Sequence, residues 1–550
     1  MKRNLALGAA LLLLLSCMSA CKKSVTTVVS EEGSYYDVVV PGSQTDETGP
    51  DGKVKTNNGI KKTTNRGTKK TKKATQKTTK PPKGRIEGTD EIAFSPIADS
   101  GANYGIKGTV KVAVDTVRPT DYAAMFDILQ KLYPNIKIQY DYFQHSSADN
   151  AAEYLSSRAK TGTLPDIVWD EAGPLPTYIS QGWVRPITEF LEKDPEYANV
   201  PANLKVSYTF GKEVYAVPHQ ATFEIMAINT DIMEKLSEPL PSLSWDVERY
   251  VSLLRKAASK YESGVCIGTD KLFSTATWYG GYAAHAAGKD LTIAGYNYET
   301  RTCEDISYYK EGALKFREWR VMSNGVEGWY QQHVKNDLKN TLGVSDYSSL
   351  WQAGKALFNQ TGTYETASFA TMKANWVQWS VPNINGAMPF HVDHCFMTAQ
   401  CSDENAAAAF QVLRFISYTT NGNLARLTMY DDANKDKYVL SSHIYYPTTT
   451  SKKVAEKYNS LSCVNACDKY FLANIQNCYR IDPYKIVPEW KELQRISDGV
   501  LSQVTDGKDA NGGGFAEARV KMNSGLEKAW NSFNTTLKKV QADFNEKHKR

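Results

Sequence analysis

Between Val110 and Asp170 the hydrophobic period of the chain switches back and forth between that of a strand and that of a helix, and this restricts the fold more than any other feature. Val110, Val112 and Val114 alternate in a short strand that ends at Asp115. A helix is predicted next, with Thr120 as its N-cap and an apolar stripe at Tyr122, Met125, Phe126, Leu129 and Leu132. Ile136, Ile138 and Tyr140 alternate in a second strand. A second helix carries Ala152, Leu155 and Ala159 on one face and stops at Gly162, a residue suited to a helix C-terminus. Pro165-Asp166-Ile167-Val168-Trp169-Asp170 reads as a short buried strand. Strands alternating with helices imply βαβ units around a parallel sheet, hence an α/β protein. Ligands of such sheets sit beyond the carboxyl ends of the strands. The loops that start at Asp115 and Asp170 are therefore expected to line one crevice.

The folded part is preceded by two segments of different character. Lys2 and Arg3, an apolar run from Leu5 to Leu15, and Ser16-Cys17-Met18-Ser19-Ala20-Cys21 form an export signal. The run is too short for a permanent membrane span. Met18-Ser19-Ala20-Cys21 resembles a bacterial lipobox, which makes Cys21 the lipidated residue, with Cys17 as the alternative and plain secretion as the bland reading. Residues 21–99 are then a Thr- and Lys-rich tether, too poor in apolar residues to offset the entropy of ordering. As a coil of about 75 residues it would let the folded part range roughly 50 Å from the membrane.

Charge follows the same division. Residues 51–90 carry +10 and residues 1–50 carry −1, so a formal total of +5 leaves −4 for residues 91–550. The basic balance belongs to the tether, which removes the argument for a nucleic-acid partner. The tether's cations are a solvated spacer or a weak attraction to anionic lipid and wall polymer. Residues 100–550 suffice for two domains. Beyond the signal stand Cys266, Cys303, Cys395, Cys401, Cys463, Cys467 and Cys478, an odd number whose pairing sequence cannot give. The cluster of the last three suggests one local bridge.

Several motifs from Lys107 onward fall in an order that resembles the extracellular solute-binding proteins of ABC importers, the family that includes maltose- and oligosaccharide-binding proteins. They are Gly108-Thr109-Val110-Lys111-Val112, Leu164-Pro165-Asp166-Ile167-Val168-Trp169-Asp170, Gly182-Trp183-Val184-Arg185-Pro186-Ile187, Tyr215-Ala216-Val217-Pro218 before Asn229-Thr230-Asp231, and Trp351-Gln352-Ala353-Gly354-Lys355-Ala356-Leu357-Phe358 before Thr361-Gly362-Thr363-Tyr364. The order covers most of residues 107–440. The chain departs from simpler members in its length, its cysteines and an insertion-like stretch at 296–345.

The resemblance implies a type II periplasmic-binding-protein-like fold, with two α/β lobes joined by hinge strands. Lobe 1 would be residues 100–222 plus 390–440, and lobe 2 residues 223–389 plus 441–550. Val214 to Ile228 would be a crossing segment, with Trp379-Ser380-Val381-Pro382 leading into the return. It also implies a lipid-anchored monomer outside the cytoplasm that captures a carbohydrate, an oligosaccharide first, and delivers it to the permease subunits of an ABC transporter. No cofactor, metal or catalytic residue is expected.

Sugars offer an apolar face and a ring of hydroxyls, so their sites want aromatic rings beside carboxylates, amides or guanidinium groups. Asp115 and Arg118 lie in the first post-strand loop, where helix capping is the competing role. Asp170 and Glu171 follow the third strand and are the leading polar candidates. Trp169 itself faces either crevice or core. His219, Gln220 and Thr222 follow the Tyr215–Pro218 strand, with plain hinge hydrogen bonding as the alternative. The resemblance assigns stacking to Trp278, Tyr279 or Tyr282, and a further contact to Tyr364 and Glu365 after Gly362. Trp490 reads as helix packing. His391-x-x-His394 is no metal pair, because on a strand the two rings face opposite sides.

Two other functions remain beside the carbohydrate reading. A peptide, polyamine or other charged solute would use Asp170 and Glu171 as counter-ions. A surface glycoside hydrolase would need a pair of acids as acid and nucleophile, and the family resemblance argues against it. No Gly-x-Ser-x-Gly elbow, His-Glu-x-x-His helix, P-loop or dinucleotide fingerprint occurs.

Overall fold

The computed structural model describes residues 93–115, 119–143, 148–171, 173–258, 272–324, 349–434, 444, 446–505 and 507–548, with short strands at 27–29, 35–37 and 86–87. The chain divides into two units, residues 1–73 and 74–550. Of the first, an antiparallel pair of strands, Thr27–Val29 with Tyr35–Asp37, is described. The signal, both candidate lipidation cysteines, Arg118 and Cys266 lie outside the described residues.

In the second unit the predicted alternation is present. Strand β1 (Gly108–Asp115) leads to helix α1 (Pro119–Leu132), β2 (Ile136–Phe143), α2 (Ala148–Lys160) and β3 (Ile167–Glu171). Helix α3 (Leu175–Ser180) follows, then the long strand β4 (Val217–Asn229). Helices α4 (Val247–Ala258), α5 (Leu272–Ala286) and α6 (Ser307–Asn324) precede β5 (Phe358–Gly362), β6 (Trp376–Ser380) and β7 (Pro389–Met397). The chain ends with α7 (Asp403–Ser417), β8 (Tyr446–Pro447), β9 (Tyr479–Arg480), α8 (Trp490–Thr505) and α9 (Gly514–Lys547).

The apolar stripe of α1 is buried at Met125, Phe126, Leu129 and Leu132, as its period predicts. Helix α1 starts at Pro119, a residue earlier than the predicted cap Thr120, because proline is preset for a first helical turn. Gly162 takes φ of +67° after α2, and Thr163 N–H bonds the Arg158 carbonyl, a left-handed helix stop. β1 pairs parallel with both β2 and β3.

Nine strands connect in one sheet, along the path β5-β4-β7-β3-β1-β2, with β6 and β8 also on β4 and β9 on β7. Strand β4 holds this arrangement together, because its 13 residues are all buried and its two ends serve different neighbours. Val217 to Phe223 pair antiparallel with β7, whereas Glu224 to Ile228 pair with β5 and Ile225 to Asn229 with β6. The changeover falls between Phe223 and Glu224. There the Phe223 N–H donates to the Thr363 hydroxyl at 3.2 Å, so the break leaves no orphaned backbone donor.

Phe223 also anchors the changeover on its apolar side. Its ring lies parallel to that of Phe471, with centroids 4.5 Å apart, and edge-on to Tyr446 at 4.7 Å, with Phe390 at 5.7 Å. A second anchor is ionic: the wholly buried Arg414 of α7 bonds both Asp99 and Asp194, and Tyr418 donates to Asp194 at 2.6 Å. Helix α9 is about 50 Å long at its 34 residues. Its first half bonds Cys303 through Asn523, and its last turns meet Tyr215, Arg185 and Asp403 through Gln541, Phe544 and His548.

Among the described cysteines, Cys303, Cys401, Cys467 and Cys478 are free thiols. This corrects the expected local bridge: Cys467 and Cys478 are buried in the apolar core without a disulfide, while Cys463 is exposed in the turn that precedes them.

Phe223→Ala removes a ring packed on three others and is expected to cost about 3–5 kcal/mol of unfolding free energy. Urea titration followed by tryptophan fluorescence checks this, and a loss under 1 kcal/mol would contradict the anchoring role.

Candidate functional site

Successive side chains of a strand point to opposite faces, and β4 divides its chemistry along that rule. Ala221, Phe223 and Ile225 join the apolar core. Gln220, Thr222 and Glu224 form a polar row on the other face. In register beside them stand Asp393, opposite Gln220, and His391, opposite Thr222, on β7. Gln220 Nε2 donates to Asp393 Oδ2 at 3.0 Å, and His391 Nε2 lies 3.1 Å from Glu224 Oε1. The Tyr364 ring meets the His391 imidazole edge-on, with centroids 6.2 Å apart.

The segment after β9 closes this row from below with charge. Lys485 Nζ donates to Asp393 Oδ1 at 2.6 Å and pairs with Asp482 Oδ2 at 3.1 Å. Arg480 Nε donates to Asp482 Oδ1 at 2.8 Å, and the Val392 N–H donates to Asp482 Oδ2 at 2.8 Å. Lys485, Asp482 and Arg480 are buried, so their charges need this mutual pairing. Burial alone would raise the Asp393 carboxyl, but the Lys485 ammonium and the Gln220 amide hold it well below the usual carboxylate range. Asp482 is held down likewise, against its burial, by Arg480 and Lys485. Both stay ionised.

What remains reachable is the outer layer. The side chains of His391 and Asp393 are each 21% exposed, that of Glu224 is 11% exposed, and Tyr364 is 45% exposed. Carboxylate oxygens accept, while imidazole and phenol both donate and accept, so this layer can pair with a hydroxylated ligand. Charged acceptors make the stronger bonds. Among the described residues no cluster of His, Cys, Asp and Glu is arranged to hold a metal ion.

The residues singled out from sequence fall into three groups. Gln220, Thr222 and Tyr364 belong to this row, and Glu365 is half-buried beside Tyr364. Asp115, Asp170 and Glu171 end β1 and β3 at the same edge of the sheet, Glu171 in register with His394. For those three acids the backbone alone is described. The remaining candidates sit in the core, except Tyr282, which is half-buried against it. His219 is buried against Trp169, whose Nε1 is 2.9 Å from His219 Nε2, and its Nδ1 lies 2.9 Å from the Ile416 carbonyl. Trp278 is buried on α5, parallel to Trp319 at 5.7 Å. Tyr279 donates to Glu311 Oε1 at 2.7 Å, and Tyr282 stacks on Tyr279. Trp490 packs against Tyr296, the helix-packing role expected of it.

A sequence profile of the bacterial extracellular solute-binding protein family matches residues 113–410. The chain belongs to that family. The fold of this solute-binding protein is also seen in solved structures of low sequence identity. A sugar transporter from Rhizobium etli in an open conformation superposes with a TM-score of 0.53 at 15% identity, over 76% of this chain and 99% of that one. The sugar-binding protein MalE from Xanthomonas citri gives 0.53 at 13% identity, over 76% and 98%. An ABC substrate-binding protein from Listeria monocytogenes in complex with cycloalternan gives 0.52 at 14% identity, over 77% and 100%. These likenesses establish the fold, two α/β lobes joined by hinge strands. Comparison of the sequence with curated proteins gives no significant match.

Glu224, His391, Asp393 and Lys485 are the residues of this row that sequence reasoning passed over. The first was legible: Gln220-Ala221-Thr222-Phe223-Glu224 alternates polar and apolar within an otherwise apolar run. Asp393 stands inside the His391-x-x-His394 stretch, judged only for metal. Lys485 is more than 90 residues from its partner and carries no local signal.

His394 offers a pH test of this neighbourhood. It is buried against Tyr208 and Phe396, with neither ring nitrogen hydrogen-bonded. Burial, and then the Lys485 and Arg480 cations, push its imidazole down to about 3 from an ordinary 6.5. Between those values the unfolded chain binds a proton that the folded chain refuses, so stability falls as pH drops from 6.5 toward 3. The slope for one such proton is about 1.4 kcal/mol per pH unit. His394→Leu should remove that part of the slope, as read from urea midpoints between pH 7 and pH 4.

Proposed function

We propose that this chain is the ligand-capturing receptor of an ABC importer, that its ligand is a carbohydrate, an oligosaccharide first, and that it performs no chemistry on it. The observation that carries this reading is the reachable row formed by Glu224 of β4 with His391 and Asp393 of β7, with Tyr364 beside it. Carboxylates, an imidazole and a phenol at one recess suit a hydroxylated ring with an apolar face. Family membership supports solute capture outside the cytoplasm, and the similar structures named above are described as sugar-binding or sugar-bound proteins.

In this reading lobe 1 comprises residues 100–222 plus 390–440 and lobe 2 residues 223–389 plus 441–550, with α9 reaching from Cys303 to Asp403 across them. Closure about β4 and the return into β7 would bury the ligand, and contacts made only when closed would shift the population toward that state. The protein would work as a monomer, tethered through a lipid on Cys21, with Cys17 as the alternative, and would hand its ligand to the permease subunits.

A cationic solute, such as a polyamine or a basic peptide, is the second reading. The carboxylates of Glu224 and Asp393, with Asp170 and Glu171 at the neighbouring strand end, favour it. Salt separates the two, because an ion-paired ligand loses affinity with ionic strength and a neutral sugar does not.

The full chain is to be screened by thermal shift against mono- and oligosaccharides, peptides and polyamines. A ligand at about 100 times its Kd adds roughly 2.7 kcal/mol of stability. A shift with a glycan class is expected, and Tyr364→Ala should weaken that ligand by about 1–3 kcal/mol, by analogy with stacking of bases on aromatic rings. Silence from every sugar with a shift from a polyamine would replace the carbohydrate reading. Palmitate labelling in cells should disappear in Cys21→Ser and persist in Cys17→Ser; the reverse pattern would move the anchor to Cys17.

A further inference from the structure

Past Glu224 the polar face of β4 meets groups of the opposite hydrogen-bonding sense. Met226 is the next residue of β4 on the face of Gln220, Thr222 and Glu224. It stands opposite Gln360 of β5 on one side and Trp379 of β6 on the other. Residues directly opposite in an antiparallel pair project to the same face. The neighbouring Gln378 agrees with this sense: it bonds Tyr446 and Asp468, and Tyr446 packs on Phe223, on the apolar face. Gln360 is 4% exposed, and its Nε2 has no acceptor among the described residues. The same holds for Nε1 of the half-buried Trp379. Buried donors are seldom left so, because folding strips them of water and returns nothing. Two of them on the face of the candidate site point to an acceptor that comes from outside the fold.

The register places Gln360 within reach of the same ligand as Glu224. Glu224 is opposite Gly362, two residues from Gln360 on β5, so Glu224 and Gln360 are diagonal neighbours about 7–8 Å apart. Gly362 has no side chain to stand between them, and the Tyr364 ring occupies the place where one would be. That ring is 45% exposed. Exposed side chains change rotamer within nanoseconds, so a ligand at Glu224 has a way past it to the Gln360 amide.

We infer that Gln360, with Trp379 across Met226, donates hydrogen bonds to oxygen atoms of the captured ligand and so selects against cations. This inference rests on the carbohydrate reading proposed above and deepens it. Glu224 and Asp393 accept from ligand hydroxyls, whereas Gln360 and Trp379 must be given an acceptor. A sugar supplies both, the acceptor through a hydroxyl, ring or acetamido oxygen. A polyamine carries only ammonium N–H groups and leaves both donors unanswered. The carboxylates alone would suit either ligand, and the two N–H donors separate them.

The test is isothermal titration of the full chain, as wild type, Gln360→Met and Trp379→Phe, with the sugars and polyamines of the thermal screen. Both substitutions keep apolar bulk and remove the N–H. For the sugar that binds, each should weaken binding about tenfold, the worth of one hydrogen bond. Analogues of that sugar lacking one oxygen give a second readout: the oxygen that matters to the wild type should cease to matter in Gln360→Met. Without ligand, Gln360→Met should unfold at or above the wild-type temperature, because no hydrogen bond within the protein is lost. A lower unfolding temperature places the partner of the amide inside the fold and overturns the inference. A sugar affinity that both variants leave unchanged also overturns it, assigning the donors to water alone and leaving a sugar receptor; one that a single variant leaves unchanged overturns the role of that residue. Silence from every sugar, with or without binding of a polyamine, overturns the carbohydrate reading and this inference with it.

Discussion

Everything in the folded unit is organised by one strand having to satisfy two sets of neighbours. Strand β4 is buried from end to end, so each of its backbone groups needs a partner, and no single neighbour spans its length. β7 serves the first half and β5 and β6 the second. The break between them is covered by the Thr363 hydroxyl and by the aromatic cluster around Phe223. The change of neighbours in mid-strand is thus made without leaving its backbone donor unpaired.

The same strand explains why buried charge collects here. One of its faces must be apolar to hold the core. The other is left to Gln220, Thr222 and Glu224, and polar groups at such depth require partners. Gln220 and Glu224 find them in Asp393 and His391 of β7, and the segment from Arg480 to Lys485 brings two cations to Asp393 and Asp482. Removing ions from water is costly, and their attraction offsets it only with good geometry and further hydrogen bonds. The Val392 N–H and carbonyl supply those bonds. Asp393 is thereby held ionised and fixed in orientation by Lys485 and Gln220.

The architecture was legible at the level of period. The valines of β1, the stripe of α1 and the glycine after α2 act through local geometry, which is why they read correctly from residues in sequence. The candidate site was half legible. Gln220 and Thr222 lie on a strand whose alternation is visible, and Glu224 continues it. The aromatic residues of α5 show how one composition serves two ends. Ala276-Thr277-Trp278-Tyr279-Gly280-Gly281-Tyr282 is rich in flat rings, yet Trp278 and Tyr279 are consumed by packing against Trp319 and α6. An aromatic residue serves a core as well as a ligand, and only its neighbours distinguish the two roles.

By itself the sequence determined an α/β fold with a parallel run of strands, a polar alternation along the crossing strand, and a basic N-terminal stretch separate from an acidic folded part. These depend on periodicity and on composition, which are properties of neighbours in the chain. Tertiary structure alone decided that Lys485 would neutralise Asp393, that His219 would face Trp169 and not the recess, and that Gln360 would come to lie beside Glu224 on one face. Each of those outcomes requires side chains from elements far apart in sequence to share one desolvated or exposed surface. The free energy of that sharing depends on burial and distance, neither of which a linear pattern contains.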